Sequence, residues 1–117
     1  MFYNYLNSES QRRINNIVVG FKNHPMYASY SIRSYCYDMH AGVHAIEVGK
    51  NGHSLNLLLF YPGCNGEINS IAIYGVHLQG HLNAIRSTMT AFGMKVASVE
   101  MDCSGISDFV DIYLEEY

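Results

Sequence analysis

The dipeptide Asn51-Gly52 is the strongest local constraint on how this chain folds. It separates two apolar runs, Val43–Gly49 and Ser54–Tyr61. Asn-Gly tolerates the two positive φ angles of a type I′ turn, which joins adjacent strands into an antiparallel hairpin. The second run has apolar residues at both odd and even positions, which is typical of a strand covered on both faces. The sequence therefore predicts an antiparallel sheet with Ser54–Tyr61 near its centre.

The other elements follow from hydrophobic periodicity and turn residues. Helical spacing predicts helices over Ser8–Asn23, capped by Ser8 or Ser10, and over Gly80–Phe92. Further strands are predicted at Met26–Asp38, Ile68–Val76 and Met94–Met101. Residues 106–115 fit either a strand or a helix, and their β-branched content favours a strand.

Taken together, these elements predict a single α+β domain over residues 1–117. Their order is α-β-β-β-β-α-β-β, which gives an antiparallel sheet of about five to six strands with two helices on one face.

Composition and charge narrow the class of protein. The chain has 117 residues, 49% of them hydrophobic, which suits one domain with its own core. Seven scattered Lys and Arg residues stand against ten Asp and Glu, so direct nucleic-acid binding is not expected. No apolar run is long enough to cross a bilayer, and the first residues lack a secretory pattern. The short apolar runs therefore predict no membrane partner. Three widely spaced cysteines favour reduced thiols and therefore a cytoplasmic protein.

A regular alternation over residues 27–37 provides the main functional hypothesis. Its odd positions include Tyr27, Arg33, Tyr35 and Tyr37, which would share one face of a strand. Tyr and Arg are enriched at protein interfaces. A purely structural role is the alternative, because tyrosines form strands well and pair across them. Arg33 and two serines on this face favour solvent, so we expect a partner-binding surface.

The C-terminal part of the chain is acidic. From Val96 onward it has six Asp and Glu residues and no Lys or Arg. A solvated edge that keeps the protein soluble explains this composition. An alternative is a second partner-binding surface for a basic protein, made by Asp108, Asp111, Glu115 and Glu116.

Six histidines raise the competing hypothesis of an enzyme. His40, His44 and Tyr37 lie around one predicted loop, where two histidines could act as general acid and base on a phosphodiester. This pattern would suit a small metal-independent nuclease or a ligand-binding protein. His77 and His81 have a spacing found in metal sites, but CxxC and close Cys/His pairs are absent. We therefore expect neither a metal nor a cofactor.

These patterns favour a non-catalytic intracellular module that binds another protein through the Tyr/Arg face of the strand. An inhibitor, adaptor or subunit, such as a phage or mobile element encodes, would have this size and charge. Homodimerisation through the same face is a further hypothesis. The His-dependent enzyme or ligand-binding protein is the alternative.

Overall fold

One helix precedes an antiparallel sheet in the part of the chain that the structure describes. The computed structural model describes residues 6–63, 65–75, 96–102 and 108–114. The elements are α1 Ser8–Asn23, a 3₁₀ helix Pro25–Tyr27, β1 Ser31–Asp38, β2 Val43–Lys50, β3 His53–Pro62, β4 Ile68–Gly75, β5 Val96–Asp102 and β6 Asp108–Leu114. The sheet order is β1-β2-β3-β4-β6-β5, and each neighbouring pair is antiparallel. This confirms the α+β class and the antiparallel sheet; the predicted helix Gly80–Phe92 lies outside the described residues.

The helix α1 has the predicted bounds but a different N-cap. Asn7, rather than Ser8 or Ser10, is the capping residue, and its side chain accepts a 2.9 Å hydrogen bond from the Ser10 N–H. Ser10 is buried, and its Oγ donates to the Gly66 carbonyl at 3.0 Å. The Asn7 N–H donates to the same carbonyl at 2.8 Å. Asn is as good a cap as Ser, and here Ser10 anchors the helix to the turn between β3 and β4.

The hairpin that joins β2 to β3 is confirmed. Asn51 has φ 55° and Gly52 has φ 78°, the two positive angles of a type I′ turn. Lys50 pairs with His53 across this turn, and Ile46 pairs with Leu58 further along the hairpin. The hairpin therefore places β2 and β3 inside the sheet, where their side chains reach both faces.

The first strand begins five residues later than predicted. Pro25 starts a 3₁₀ helix instead, and the His24 side chain accepts a hydrogen bond from the Met26 N–H. Proline fixes a φ angle suited to the first turn of a helix, which overrides the alternation at this point. Tyr27 consequently leaves the strand and is only 1% exposed. Its predicted place on the exposed partner-binding face is wrong.

The two faces of the sheet differ in what covers them. On the helix face, apolar side chains of α1 pack against those of β2, β3 and β4. The residues of this core include Ile14, Ile17, Phe21, Ile46, Leu58, Phe60, Ile71 and Ile73. On the opposite face, which we call the tyrosine face, a buried floor of small and branched residues carries larger side chains. The floor is Val43, Ala45, Leu59 and Ala72, with Tyr35, Leu57 and Tyr61 packed against it.

Candidate functional site

The tyrosine face brings together side chains from four neighbouring strands. Strand β1 provides Arg33 and Tyr35, which lie opposite Glu47 and Ala45 of β2. Because residues directly opposite in an antiparallel pair share a face, Arg33 lies beside Glu47. The alternation along β1 therefore places the predicted Arg and Tyr side chains on one face, as the sequence indicated.

An ion pair orders the polar part of this face. Arg33 donates from Nε to Oε1 of Glu47 at 2.9 Å, and its Nη2 lies 2.9 Å from the same oxygen in an ion pair. The guanidinium carbon of Arg33 also lies 5.2 Å from the centre of the Tyr35 ring, a cation–π distance. The Tyr35 hydroxyl makes a long 3.5 Å contact with Oε2 of Glu47. These three side chains therefore form one connected unit whose opposite charges offset each other.

The same contacts shift the pKa values of the unit. The hydrogen bond to Glu47 raises the pKa of Arg33, because it stabilises the charged guanidinium. Partial burial is the main cause that raises the pKa of the Tyr35 phenol, and the negative charge of Glu47 is the second cause. At neutral pH the unit therefore contains a charged Arg33 and a neutral Tyr35 that can donate its proton.

Two exposed tyrosines extend the face on either side of the buried floor. Tyr37, at the end of β1, is 52% exposed, and Tyr74 of β4 is 39% exposed. Tyr37 lies close enough to Tyr35 to contribute to the raised pKa of that phenol. Tyr74 pairs with Leu57, which packs against the floor. The result is an aromatic surface with an aliphatic base, extending from β1 to β4.

The sequence interpretation missed Glu47, Tyr61 and Tyr74 as members of this surface. Glu47 carried a usable signal, because it alternates with the apolar residues Ile46 and Val48 of the same strand. Once the β1–β2 register is known, Glu47 has to face Arg33. The place of Tyr61 and Tyr74 on this surface depends on the β3–β4 register, which no local turn signal in the sequence determines.

Asp108 and Asp111, two of the four acidic residues proposed as a second surface, lie on β6, toward the other end of the sheet from β1. In the register, Asp108 is opposite Gly75, and Asp111 is opposite both Ala72 and Glu100. Residues 108–114 form strand β6, in agreement with the strand interpretation of this segment. Glu115 and Glu116 lie outside the described residues. The order of strands separates β6, with Asp108 and Asp111, from β1 by β2, β3 and β4.

The three residues of the enzyme hypothesis are placed differently from one another. His44 lies on the helix face opposite Cys36, with its Nε2 2.6 Å from the Ser34 hydroxyl. Tyr37 lies next to Tyr35, whose position is on the tyrosine face. The His40 N–H donates to the Asp38 side chain at 3.0 Å in the connecting turn. His44 thus lies on the helix face, whereas Tyr37 lies beside Tyr35, and the nuclease hypothesis stays a prediction.

No group of three or more His, Cys, Asp or Glu side chains among the described residues is arranged to hold a metal ion. Cys36 is exposed with a free thiol.

The half-buried His44 should make stability depend on pH. Burial lowers its pKa below the ordinary value of 6.5, because the charged ring loses hydration. As the pH falls through 6.5, the unfolded chain then binds a proton before the folded chain does. The free energy of unfolding should therefore decrease from neutral pH downward and level off below the folded pKa.

Urea unfolding between about pH 8 and pH 5 measures this decrease, and NMR titration of the imidazole measures the pKa directly. In His44→Gln the component of the pH dependence due to this residue should be lost, whereas His53→Gln controls for removal of an exposed histidine. A His44 titration at or above 6.5 would contradict the assignment.

Among the described residues, no helix is both long enough and apolar enough to cross a membrane. Comparison of the chain with protein-family models, with curated proteins and with solved structures found no significant match.

Proposed function

We propose that this protein is a binding module that recognises another protein through the β1 side of its tyrosine face. The observation that carries the proposal is the Arg33–Glu47–Tyr35 unit, held in place beside the exposed Tyr37 and above a buried aliphatic floor. The Arg33 side chain is 69% exposed, so its ion pair is formed at the surface and not in the core. An ordered Tyr/Arg cluster in contact with solvent has the composition of an interface centre.

The fixed arrangement of the side chains in this unit supports a role in binding rather than a purely structural role. A surface ion pair of this kind adds little to folding stability, because solvent screens the two charges. What it does provide is a fixed conformation for Arg33, whose side chain would otherwise lose rotamer entropy when a partner binds. Tyrosine has few rotatable bonds, so Tyr37 can bury much of its ring at low entropic cost.

The chemistry of the cluster indicates what its partner offers. Arg33 donates one N–H to Glu47 and forms an ion pair with it, and the exposed guanidinium has further N–H donors for an acceptor of the partner. We expect the partner to present carboxylate or main-chain oxygens beside an apolar side chain that packs against Tyr37. Because Glu47 offsets the charge of Arg33, long-range steering should be weak and binding should change little with salt.

The broader properties of the module belong to the same proposal. A predicted helix at Gly80–Phe92 would lie with α1 on the helix face and complete a single domain, and the exposure of Tyr37 and Tyr74 on the other face supports this arrangement. The exposed free thiol of Cys36 supports a reducing, cytoplasmic environment. An inhibitor, adaptor or subunit would each use such a surface.

Paired variants test the proposal by quantitative affinity capture from a native lysate. The double variant Arg33→Gln/Tyr37→Ser removes one exposed guanidinium and one exposed ring from the tyrosine face. Arg12→Gln/Val19→Ser makes a comparable change on the outer surface of α1, where both residues are exposed. Both variants should unfold within about 1 kcal/mol of wild type, because neither touches the core.

We expect wild type and the α1 control to recover the same protein in near-equal amounts. The tyrosine-face variant should recover at least about tenfold less of this protein, because removing two residues from the centre of an interface weakens binding by this much. Equal recovery by all three proteins, or loss with the α1 control alone, would contradict the proposal.

A further inference from the structure

We propose that two copies of this chain associate edge to edge through β1, around a twofold axis that passes next to Ser34. The two sheets would then continue into one another as antiparallel neighbours. The proposal concerns main-chain pairing at the edge of the sheet, which would bring Arg33 and Tyr35 of the two copies next to each other. Recognition of another protein through the tyrosine face is a separate proposal, and different variants test the two.

Strand β1 has the properties of an edge that is open to pairing. It lies at one end of the described sheet and is hydrogen-bonded to β2 on its other side. Six of its eight residues are exposed, so no described element covers it. Natural edge strands are usually protected by lysine, proline, short length or covering elements. Between Ser31 and Asp38 there is neither lysine nor proline, and eight residues is long for an edge.

The one basic residue of β1 does not protect the edge. Arg33 is the side chain that would repel a second copy, but its ion pair with Glu47 offsets the charge. A bulge between Cys36 and Asp38 disturbs the strand only at its last residues. The segment from Ser31 to Cys36 therefore remains regular and available for pairing.

Symmetry limits the register of such a pair. A twofold axis perpendicular to the sheet keeps the same face of both copies on the same side, so it must pass next to a residue that pairs with itself. An axis at Arg33 would place two guanidinium groups directly opposite each other. An axis at Tyr35 would place Ile32 opposite Asp38 of the partner subunit and extend the pairing into the bulge.

An axis at Ser34 avoids both conflicts. It places Arg33 opposite Tyr35 of the partner subunit, which repeats between chains the cation–π contact seen at 5.2 Å within the chain. It also places Ile32 opposite Cys36 of the partner subunit, so that the less polar side chains of β1 meet each other. Strand β1 is thus complementary to itself in this register, and the two tyrosine faces become one continuous surface.

Charge placed at the axis tests this dimer in solution. Sedimentation equilibrium of wild type over about 1–200 µM should show the mass rising from 13.2 kDa toward twice that value. Ser34→Lys puts two ammonium groups opposite each other only in the dimer, and should weaken association at least about tenfold. Ser34→Ala controls for loss of the hydrogen bond to His44. Ser54→Lys places the same charge on an exposed serine of β3, away from the edge. Both controls should dimerise as wild type does.

Disulfide formation tests the register itself. With Cys36, Cys64 and Cys103 replaced by serine, Ser34→Cys should oxidise to a covalent dimer, because only this residue lies opposite its own copy. Ser31→Cys, which lies three residues from the axis and not opposite its own copy, should not. A monomeric wild type at all concentrations, unchanged dimerisation of Ser34→Lys, or equal cross-linking at both positions would overturn the proposal. Ser34→Lys should still capture the partner of the tyrosine face, so failure of the dimer and failure of that recognition give different results.

Discussion

Tyr27→Ala should lower the free energy of unfolding by about 3–5 kcal/mol, the range for truncation of a buried aromatic side chain. Tyr27 is 1% exposed, and its ring packs edge to face on Phe21 at 5.0 Å and on Tyr30 at 5.3 Å. Removing it would open a cavity between α1 and the start of β1. Urea unfolding followed by circular dichroism measures the change.

Two further variants make this prediction specific. Tyr27→Phe keeps the ring and should cost about 1–2 kcal/mol at most, through the hydroxyl alone. Tyr37→Ala removes an exposed ring and should cost less than about 0.5 kcal/mol. Burial raises the pKa of Tyr27 to about 12, so its phenol should also resist ionisation at alkaline pH. Similar losses for Tyr27→Ala and Tyr37→Ala would contradict the placement of Tyr27 in the core.

Gly75→Ala should destabilise the protein by about 3 kcal/mol, at the upper end for overpacking. Gly75 ends β4 opposite Asn56 of the adjacent strand β3. A Cβ at this position would overlap both the Asn56 side-chain oxygen and the main-chain carbonyl oxygen of Leu55, and would lie 3.0 Å from the Asn56 Cα. The Asn56 side chain is buried, and the Leu55 carbonyl belongs to the strand itself. Neither neighbour can move without disturbing the β3–β4 pair.

Gly63→Ala is the matched control for this substitution. A Cβ on Gly63 would meet its nearest neighbours at 3.5 Å, an ordinary van der Waals distance. The change should be neutral or slightly stabilising, by up to about 1 kcal/mol, because alanine restricts the unfolded chain. Thermal or urea unfolding of both variants gives the comparison. If Gly75→Ala were as stable as Gly63→Ala, the close approach of β3 and β4 at this point would be wrong.

The elements that could be predicted from the sequence are those determined by local rules. Asn51-Gly52 specifies its turn because few residues accept two positive φ angles, and Ser8–Asn23 has a clear helical period. The start of β1 could not be predicted in the same way. There, two local signals compete: alternation favours a strand from Met26, whereas Pro25 favours a helical turn, and the packing of Tyr27 on Phe21 decides between them.

Only part of the candidate site was predicted, and the reason is similar: local patterns can be read from the sequence, whereas contacts between strands cannot. The alternation of β1 correctly placed Arg33 and Tyr35 on one face, since that pattern lies within a single strand. The ion pair with Glu47 and the presence of Tyr74 depend on the registers between strands. Registers are determined by the packing of the whole sheet and by long-range pairing, which a single sequence does not display.

Site-specific photo-crosslinking tests most directly whether the tyrosine face binds another protein. A photoreactive phenylalanine analogue at position 37 would report on that face, and the same analogue at position 22 would report on the exposed outer side of α1. If the proposal is correct, irradiation in a native lysate should join position 37 to the protein that wild type captures, with little or no adduct from position 22. Adducts to that protein from position 22 but not from position 37 would show that recognition occurs elsewhere on the molecule.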